Sequence, residues 1–166
     1  MNKDRELRRF ETLILRMRKR VVDLHNYNRV MKVLNSITDE KSFEGVLEVL
    51  SEGFKIDSSS LMVLREKRLE TIAFYGEHPN MHYIAGKEAL FFASTALTNG
   101  KAQTMKTETG VLLSLPITKS IGNVFGVLNL YKYSDLTDKI FTEKDQRLFS
   151  DIASQIGVSL ERVIFC

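Results

Sequence analysis

The stretch from Val111 to Gly157 leaves a chain like this few folds to choose from. It reads VLLSLPI, a KSIGN turn, VFGVLNLYKY, an acidic-polar loop, then FTEKDQRLFSDIASQIG. Two runs rich in Val, Leu, Ile and Tyr around a Gly-containing turn are a β-hairpin signal, because Gly122 permits φ > 0. Both runs are apolar at nearly every position, which suits a strand covered on both faces. They therefore belong to the middle of a sheet sandwiched between other layers, and an open, one-sided sheet is excluded.

The helix that follows is equally legible. Thr142 stands as N-cap with Asp145 three residues on, an acidic variant of the capping box at the positive end of the helix dipole. Leu148, Ile152, Ile156, Leu160 and Val163 then recur at spacings of three to four, so one stripe of the helix is buried. The succession of an apolar strand with Pro116, a turn, Gly126-Val127-Leu128, Phe141-Thr142-x-x-Asp145 and Ile152-Ala153-x-Gln155 resembles the closing half of a GAF domain.

At 166 residues and 43% hydrophobic, the chain can bury one proper core. No apolar run approaches the roughly 20 residues needed to span a bilayer, and the charged start MNKDRELRRF lacks the apolar core of a secretory signal. A cytoplasmic location is the expectation. The single cysteine, Cys166, is the last residue, which rules out an internal disulfide framework or a multi-cysteine metal site and marks an exposed terminus rather than a redox centre.

Charge is unevenly placed. Met1 to Lys32 holds ten basic and four acidic residues, a net +6, so the remainder carries −3 of the overall +3. Within that segment Leu7, Phe10, Ile14, Met17, Val21 and Leu24 alternate at spacings of three and four, and the register continues through Asn28, Met31 and Asn35. These are the a and d positions of a heptad, with no Pro or Gly before Gly45 to interrupt a helix. A narrow seam flanked by charge calls for a partner helix, so residues 1–26 are read as a coiled-coil segment ahead of a domain over 27–166.

A parallel homodimer is the leading arrangement, with Asn28 as a register-setting polar a position. Packing against the helix from Thr142 within one chain is the competing one, and a four-helix arrangement across a dimer would combine both. A nucleic-acid arm or membrane-surface helix is disfavoured, because the arginines interleave with the seam instead of preceding it as in a basic-zipper protein.

Between seam and hairpin, Ser42 is placed to cap a helix through Phe43, Val46, Leu47, Leu50 and Phe54, with Gly53 near its end. Ser59 to Leu64 and Leu69 to Tyr75 alternate about a Glu66-Lys67-Arg68 turn and form a second hairpin. A loop with Pro79 runs from Gly76 to Gly86, Glu88 to Leu97 reads as a short helix ending near Asn99-Gly100, and Ala102 to Met105 as a short strand.

This order, from about Tyr27 to Ile164, is similar to that of the GAF family as a whole. The resemblance implies an α+β fold: a central antiparallel sheet with the N- and C-terminal helices on one face, and a short helix plus loops on the other enclosing a small-molecule pocket. By that likeness the pocket wall draws on the Gly76 to Gly86 loop, the Glu88 to Leu97 helix and the Met105 to Gly110 loop.

Chemistry-bearing residues are few. His78 and His82 are four apart like a metal pair, yet Pro79 breaks the helix that would hold them together and no third ligand is evident, so no metal is expected. His82 beside Tyr83 is a candidate ligand contact. Phe91 and Phe92 read first as core residues and second as a stacking platform for a ligand ring. Ser114 and Asn129 interrupt apolar strands, so each bonds locally or faces a polar pocket. Thr107-Glu108-Thr109-Gly110 is a solvated turn or a contact for a cationic ligand. No Gly-rich phosphate loop or nucleophile-base set is present.

Departures from GAF subfamilies narrow the reading. Cyclic-nucleotide-binding members carry an Asn-Lys-x-Phe-Asp-Glu signature, whereas Asn129-Leu130-Tyr131-Lys132-Tyr133 followed by Phe141 lacks the Asp-Glu pair. Bilin-binding members attach their chromophore through a cysteine, and methionine sulfoxide reductase members use cysteines beside the pocket, for which this chain has no interior counterpart. The resemblance thus implies a non-catalytic sensory module, dimeric through its terminal helices, taking a small molecule of unknown identity and signalling to a separate partner protein. The alternatives are an interaction module with a filled pocket and, more remotely, a reductase.

Overall fold

Five strands form one antiparallel sheet: β1 (Ser58–Arg65), β2 (Arg68–Gly76), β3 (Gln103–Lys106), β4 (Gly110–Thr118) and β5 (Val124–Tyr133), in the order β2-β1-β5-β4-β3. With them are the helices α1 (Asn2–Asn35), α2 (Phe43–Phe54), α3 (Lys87–Asn99) and α4 (Glu143–Ile164), an α+β arrangement. The structure is a computed structural model that describes residues 2–76, 87–107, 109–119, 122–133 and 141–164, the side chains of 87–92 excepted.

Each hairpin follows from its turn. Glu66 and Lys67 both hold positive φ, 48° and 67°, between the paired residues Arg65 and Arg68, the two-residue geometry that matches strand twist. β5 and β4 are the third and fourth members of a five-strand row, and their central residues are buried on both faces. Gly122 in the connection between them has φ 92°.

The two faces carry different layers. Leu61 and Val63 of β1, Leu113, Leu115 and Ile117 of β4, and Leu128 and Leu130 of β5 meet α1, α2 and α4 in the main core. On the opposite face Met62 and Val127 meet Ala93 and Ala96 of α3. The predicted alternation of terminal helices on one side and a short helix on the other is the observed one.

Local caps explain the helix limits. Asp145 N–H donates to Thr142 Oγ1 at 3.2 Å and Thr142 N–H donates back to Asp145 Oδ2 at 3.1 Å, completing the capping box that opens α4. Edge-to-face contacts of Phe149 with Phe54 and Phe141, at 5.3 and 6.0 Å between centroids, tie that helix to α2 and to the loop before it.

The cap of α2 differs from the expectation. Ser42 makes no capping bond; it ends a short 3-10 turn, Glu40–Ser42, whose cap is Asp39. Gly53 is not the C-cap either: Lys55 takes the left-handed conformation there, φ 57°. Gly53 instead lets α1 come close, since an added Cβ would lie 2.9 Å from Asn26 Oδ1. The short strand also sits one residue later, at Gln103–Lys106.

α1 has two halves. Residues 2–22 are exposed throughout, while Asn26, Val30 and Leu34 are buried. Asn26 Nδ2 donates to the Gly53 carbonyl at 2.8 Å, Lys19 pairs with Asp145 at 3.5 Å, and Arg162 donates to the carbonyls of Leu34 and Ile37 at 3.1 and 3.3 Å. Lys19 thus lies by the start of α4 and Leu34 by its end, so the two helices run parallel and packing within one chain accounts for the second half of α1. None of the described helices is long and apolar enough to cross a membrane.

Candidate functional site

Period-two alternation decides which side chains of the central strands face α3. Strand pairing places them in three rows: Met62, Val127 and Pro116; Ser60, Asn129, Ser114 and Gln103; Ser58, Tyr131, Leu112 and Met105. The first row is apolar and lies under Ala93 and Ala96. The second is polar, and Ser60, Asn129 and Ser114 in it are fully buried.

A buried hydroxyl or carboxamide stays in place only if its partners are supplied. Ser114 Oγ donates to Asn129 Oδ1 at 2.6 Å, and Asn129 Nδ2 donates to Ser60 Oγ at 3.1 Å. One directed chain of hydrogen bonds therefore crosses β4, β5 and β1. In the third row Tyr131 Oη bonds Thr109 Oγ1. Ser58 Oγ, fully buried at the β1 end of that row, has no hydrogen-bond partner among the described residues.

The serine run at the start of β1 divides between the faces. Ser59 turns to α2, where its hydroxyl lies 2.8 Å from Ser51 Oγ, and Ser58 and Ser60 take the α3 side. Asp57 secures this end of the strand pair, its N–H donating to Tyr131 O at 3.0 Å and its Oδ2 accepting from Tyr133 N–H at 2.7 Å. Hydroxyls and the carboxamides of Asn129 and, on the edge strand, Gln103 make up the polar part of these three rows, with no charged side chain in them.

Of the residues singled out in the sequence, Ser114 and Asn129 are adjacent and bonded to each other. His82 and Tyr83 lie outside the described residues, as do His78 and Glu108. Phe91 and Phe92 fall within α3, their side chains beyond what the structure describes. Ser58 and Ser60 were missed. Their signal was the Ser58-Ser59-Ser60 triplet, which resembles turn composition more than strand. The Thr107 to Gly110 turn is closed by its own bonds, Gly110 N–H donating to Thr107 Oγ1 at 3.0 Å. Among the described residues no group of three or more His, Cys, Asp or Glu is placed to hold a metal ion.

The six seam residues share a different location. Leu7, Phe10, Ile14, Met17, Val21 and Leu24 are 46–67% exposed along the free half of α1. Ile14, Met17, Arg18, Val21 and Val22 line a shallow apolar groove on it.

Comparison with known proteins agrees with this architecture. The nlh2 GAF domain of A. aeolicus, in an inactive state, superposes with a TM-score of 0.67 at 20% identity, over 86% of this chain and 98% of that one. The GAF domain of an Acinetobacter phosphoenolpyruvate-protein phosphotransferase gives 0.67 at 17%, over 84% and 93%. Free methionine-R-sulfoxide reductase from Neisseria meningitidis, in complex with its substrate, gives 0.61 at 14%, over 82% and 87%. No curated protein matches the sequence significantly. The sequence model of the GAF domain matches residues 39–162, three quarters of the chain, and on that match and this fold the protein belongs to the GAF domain family.

Proposed function

We propose that this protein is a non-catalytic sensory module that binds a small uncharged polar molecule on the α3 side of the sheet and passes the signal to a separate partner protein. The observation that carries the reading is Ser58 Oγ, a buried hydroxyl without a partner among the described residues, beside an otherwise satisfied polar row. Such a group costs about 1–3 kcal/mol, which a ligand hydrogen bond would recover. The residues of the face supply neutral donors and acceptors, so the matching ligand carries hydroxyl, amide or similar groups.

The route outward is one strand thick. Asn129 faces the polar row, while its neighbours Leu128 and Leu130 belong to the core that holds Val30, Leu34 and Ile156. A displacement of β5 on one face therefore displaces the contacts of α1 and α4 on the other. The exposed apolar seam of α1 supports a homodimer through that helix, whose second half packs on the core that would carry the change.

A second reading has its own support. Ser114, Asn129 and Ser60 satisfy one another, as the side chains of a filled site would, and the module would then act through protein contacts alone. Native mass spectrometry of the purified protein, with a thermal-shift screen of small polar metabolites, separates the two. A retained mass or a Tm rise lost in Ser58→Val supports ligand binding, since a ligand selective for the native state stabilises it. Neither signal across the screen would favour the filled site. Thiol-dependent turnover of free methionine sulfoxide would overturn the non-catalytic reading.

A further inference from the structure

We infer that the exposed half of α1 pairs with a second copy of itself in antiparallel orientation, an arrangement that rests on the dimer reading above and specifies it. The argument starts from which face of α1 is already used. With Leu7, Ile14 and Val21 as a and Phe10, Met17 and Leu24 as d, Lys19 and Asn26 fall at f and Val30 at c. These are the positions through which α1 meets its own domain, at Asp145, Gly53 and the core. They lie on the far side of the helix from a and d, so the seam points away from the domain.

The free seam is also bounded. Met31, the next d residue, is half-buried against the core, and Leu34 is buried in it. In a parallel coiled coil the same register runs on to Met31, which the domain already half-covers, while Asn28 and Asn35 of that seam are exposed and polar. An antiparallel pair needs only residues 7–24, about 27 Å of helix. Antiparallel packing sets a opposite d, giving Leu7 against the partner's Leu24, Phe10 against the partner's Val21 and Ile14 against the partner's Met17. By symmetry each layer occurs twice, and the six seam residues are covered, while Leu13, Leu15 and Val22, also exposed, stand at the flanking g and b positions.

Charge decides between the orientations, because e and g residues set partner orientation. In a parallel pair g meets the e residue five places on, so Glu6 faces the partner's Glu11 and Arg20 the partner's His25. The clusters Arg16, Arg18, Lys19 and Arg20 would also stand side by side. In the antiparallel pair e meets e, so Glu11 faces the partner's Arg18 and Asp4 the partner's His25. Residues 16–20 then lie level with the partner's 11–15, whose one charge is Glu11. Like charges are separated and opposite charges matched, the reverse of the parallel arrangement that the heptad alone suggests. The two GAF domains sit at opposite ends of the paired helices.

Two experiments on the full chain test this. With Cys166 replaced by Ser, Leu7→Cys and Leu24→Cys proteins are oxidised separately and mixed. The antiparallel pair gives the mixed disulfide and little of either like-with-like product. Like-with-like products alone would overturn the orientation and keep the dimer. A dimer by sedimentation with no cross-link of either kind would overturn the seam as its interface. A wild-type chain that sediments as a monomer at tens of micromolar would overturn the dimer reading itself.

The charge exchange is independent of cysteine chemistry. Glu11→Lys sets Lys against the partner's Arg18 twice per dimer and is expected to weaken dimerisation about tenfold. Adding Arg18→Glu restores it. Tighter dimerisation by Glu11→Lys alone would match relief of the Glu6–Glu11 repulsion of a parallel pair and overturn the proposal. Because these residues are exposed, circular dichroism of each variant is expected to match wild type.

Discussion

Asn129 and Ser60, 69 residues apart in sequence, face each other across β5 and β1 with Asn129 Nδ2 donating to Ser60 Oγ at 3.1 Å. The same side chain accepts from Ser114 on the other side, so one carboxamide holds three strands in polar register. Removing it orphans two hydroxyls in a dry layer.

Asn129→Ala is therefore expected to destabilise the fold by roughly 2–4 kcal/mol, the cost of two unpaired buried groups plus lost packing. Ser114→Ala, which orphans only Asn129 Oδ1, should cost roughly 1–3 kcal/mol. Ser58→Ala runs the other way: its hydroxyl has no partner among the described residues, so the ligand-free protein should gain up to about 1 kcal/mol. Urea denaturation of the three variants gives the order. A Ser58→Ala protein less stable than wild type would mean that the hydroxyl is satisfied within the protein.

Gly157 sets the distance between α4 and β4. A Cβ there would stand 2.9 Å from the Thr118 carbonyl oxygen and 3.0 Å from Ile117 Cγ2. In a free helix Gly→Ala gains about 0.5–1 kcal/mol. Here the backbone contact cannot yield cheaply, so Gly157→Ala is expected to lose about 1–3 kcal/mol net. Thermal unfolding gives the sign, and a stabilised variant would show that α4 can move off the sheet at no cost.

What could be read from the sequence divides along the range of the interactions. The Thr142 and Asp145 capping box, the hairpin around Glu66 and Lys67 and the buried stripe of α4 are all set within a few residues, and their residue types carry the geometry. Ser114 and Asn129 stood out because a polar residue in an apolar strand needs an explanation. Ser60 did not, since its reason for being there lies 69 residues away. Ser42 misled for a subtler reason: Asp39 and Ser42 are both good capping residues three apart, and the extra 3-10 turn hands the role to the first. Gly53 looked like a helix stop, yet its meaning is the approach of Asn26 from a different helix.

Arg162 fixes the register of the two parallel terminal helices. Its guanidinium donates to the carbonyls of Leu34, in the last turn of α1, and of Ile37, two residues past its end, where the negative end of the helix dipole favours a cation. Arg162→Met is expected to cost roughly 1–2 kcal/mol, discounted for the partial exposure of the site. It should also raise hydrogen exchange in the last turn of α1 more than in β4 or β5. Arg162→Lys, with one compact donor for two carbonyls, should fall between. Uniform exchange changes across the domain would argue against a local clamp.

Asp39 gives the fold an acid-sensitive corner. Its Oδ1 accepts from Ser42 Oγ at 2.6 Å and from Ser42 N–H at 2.9 Å, and these bonds hold its carboxyl below the ordinary 3.8. A carboxyl depressed in the folded state stabilises the fold at pH values above 3.8 and loses that contribution as pH falls through its folded value. The Tm gap between wild type and Asp39→Ala should therefore hold steady from neutral pH down to about pH 5 and narrow in stronger acid. Asp39→Asn keeps a side-chain acceptor for Ser42 without a charge to titrate, so its gap to Asp39→Ala should stay level across the same range. The two curves for wild type and Asp39→Asn converging as pH falls would identify ionisation at Asp39, rather than general acid unfolding, as the source of the change. Parallel curves would show that the cap works without its charge.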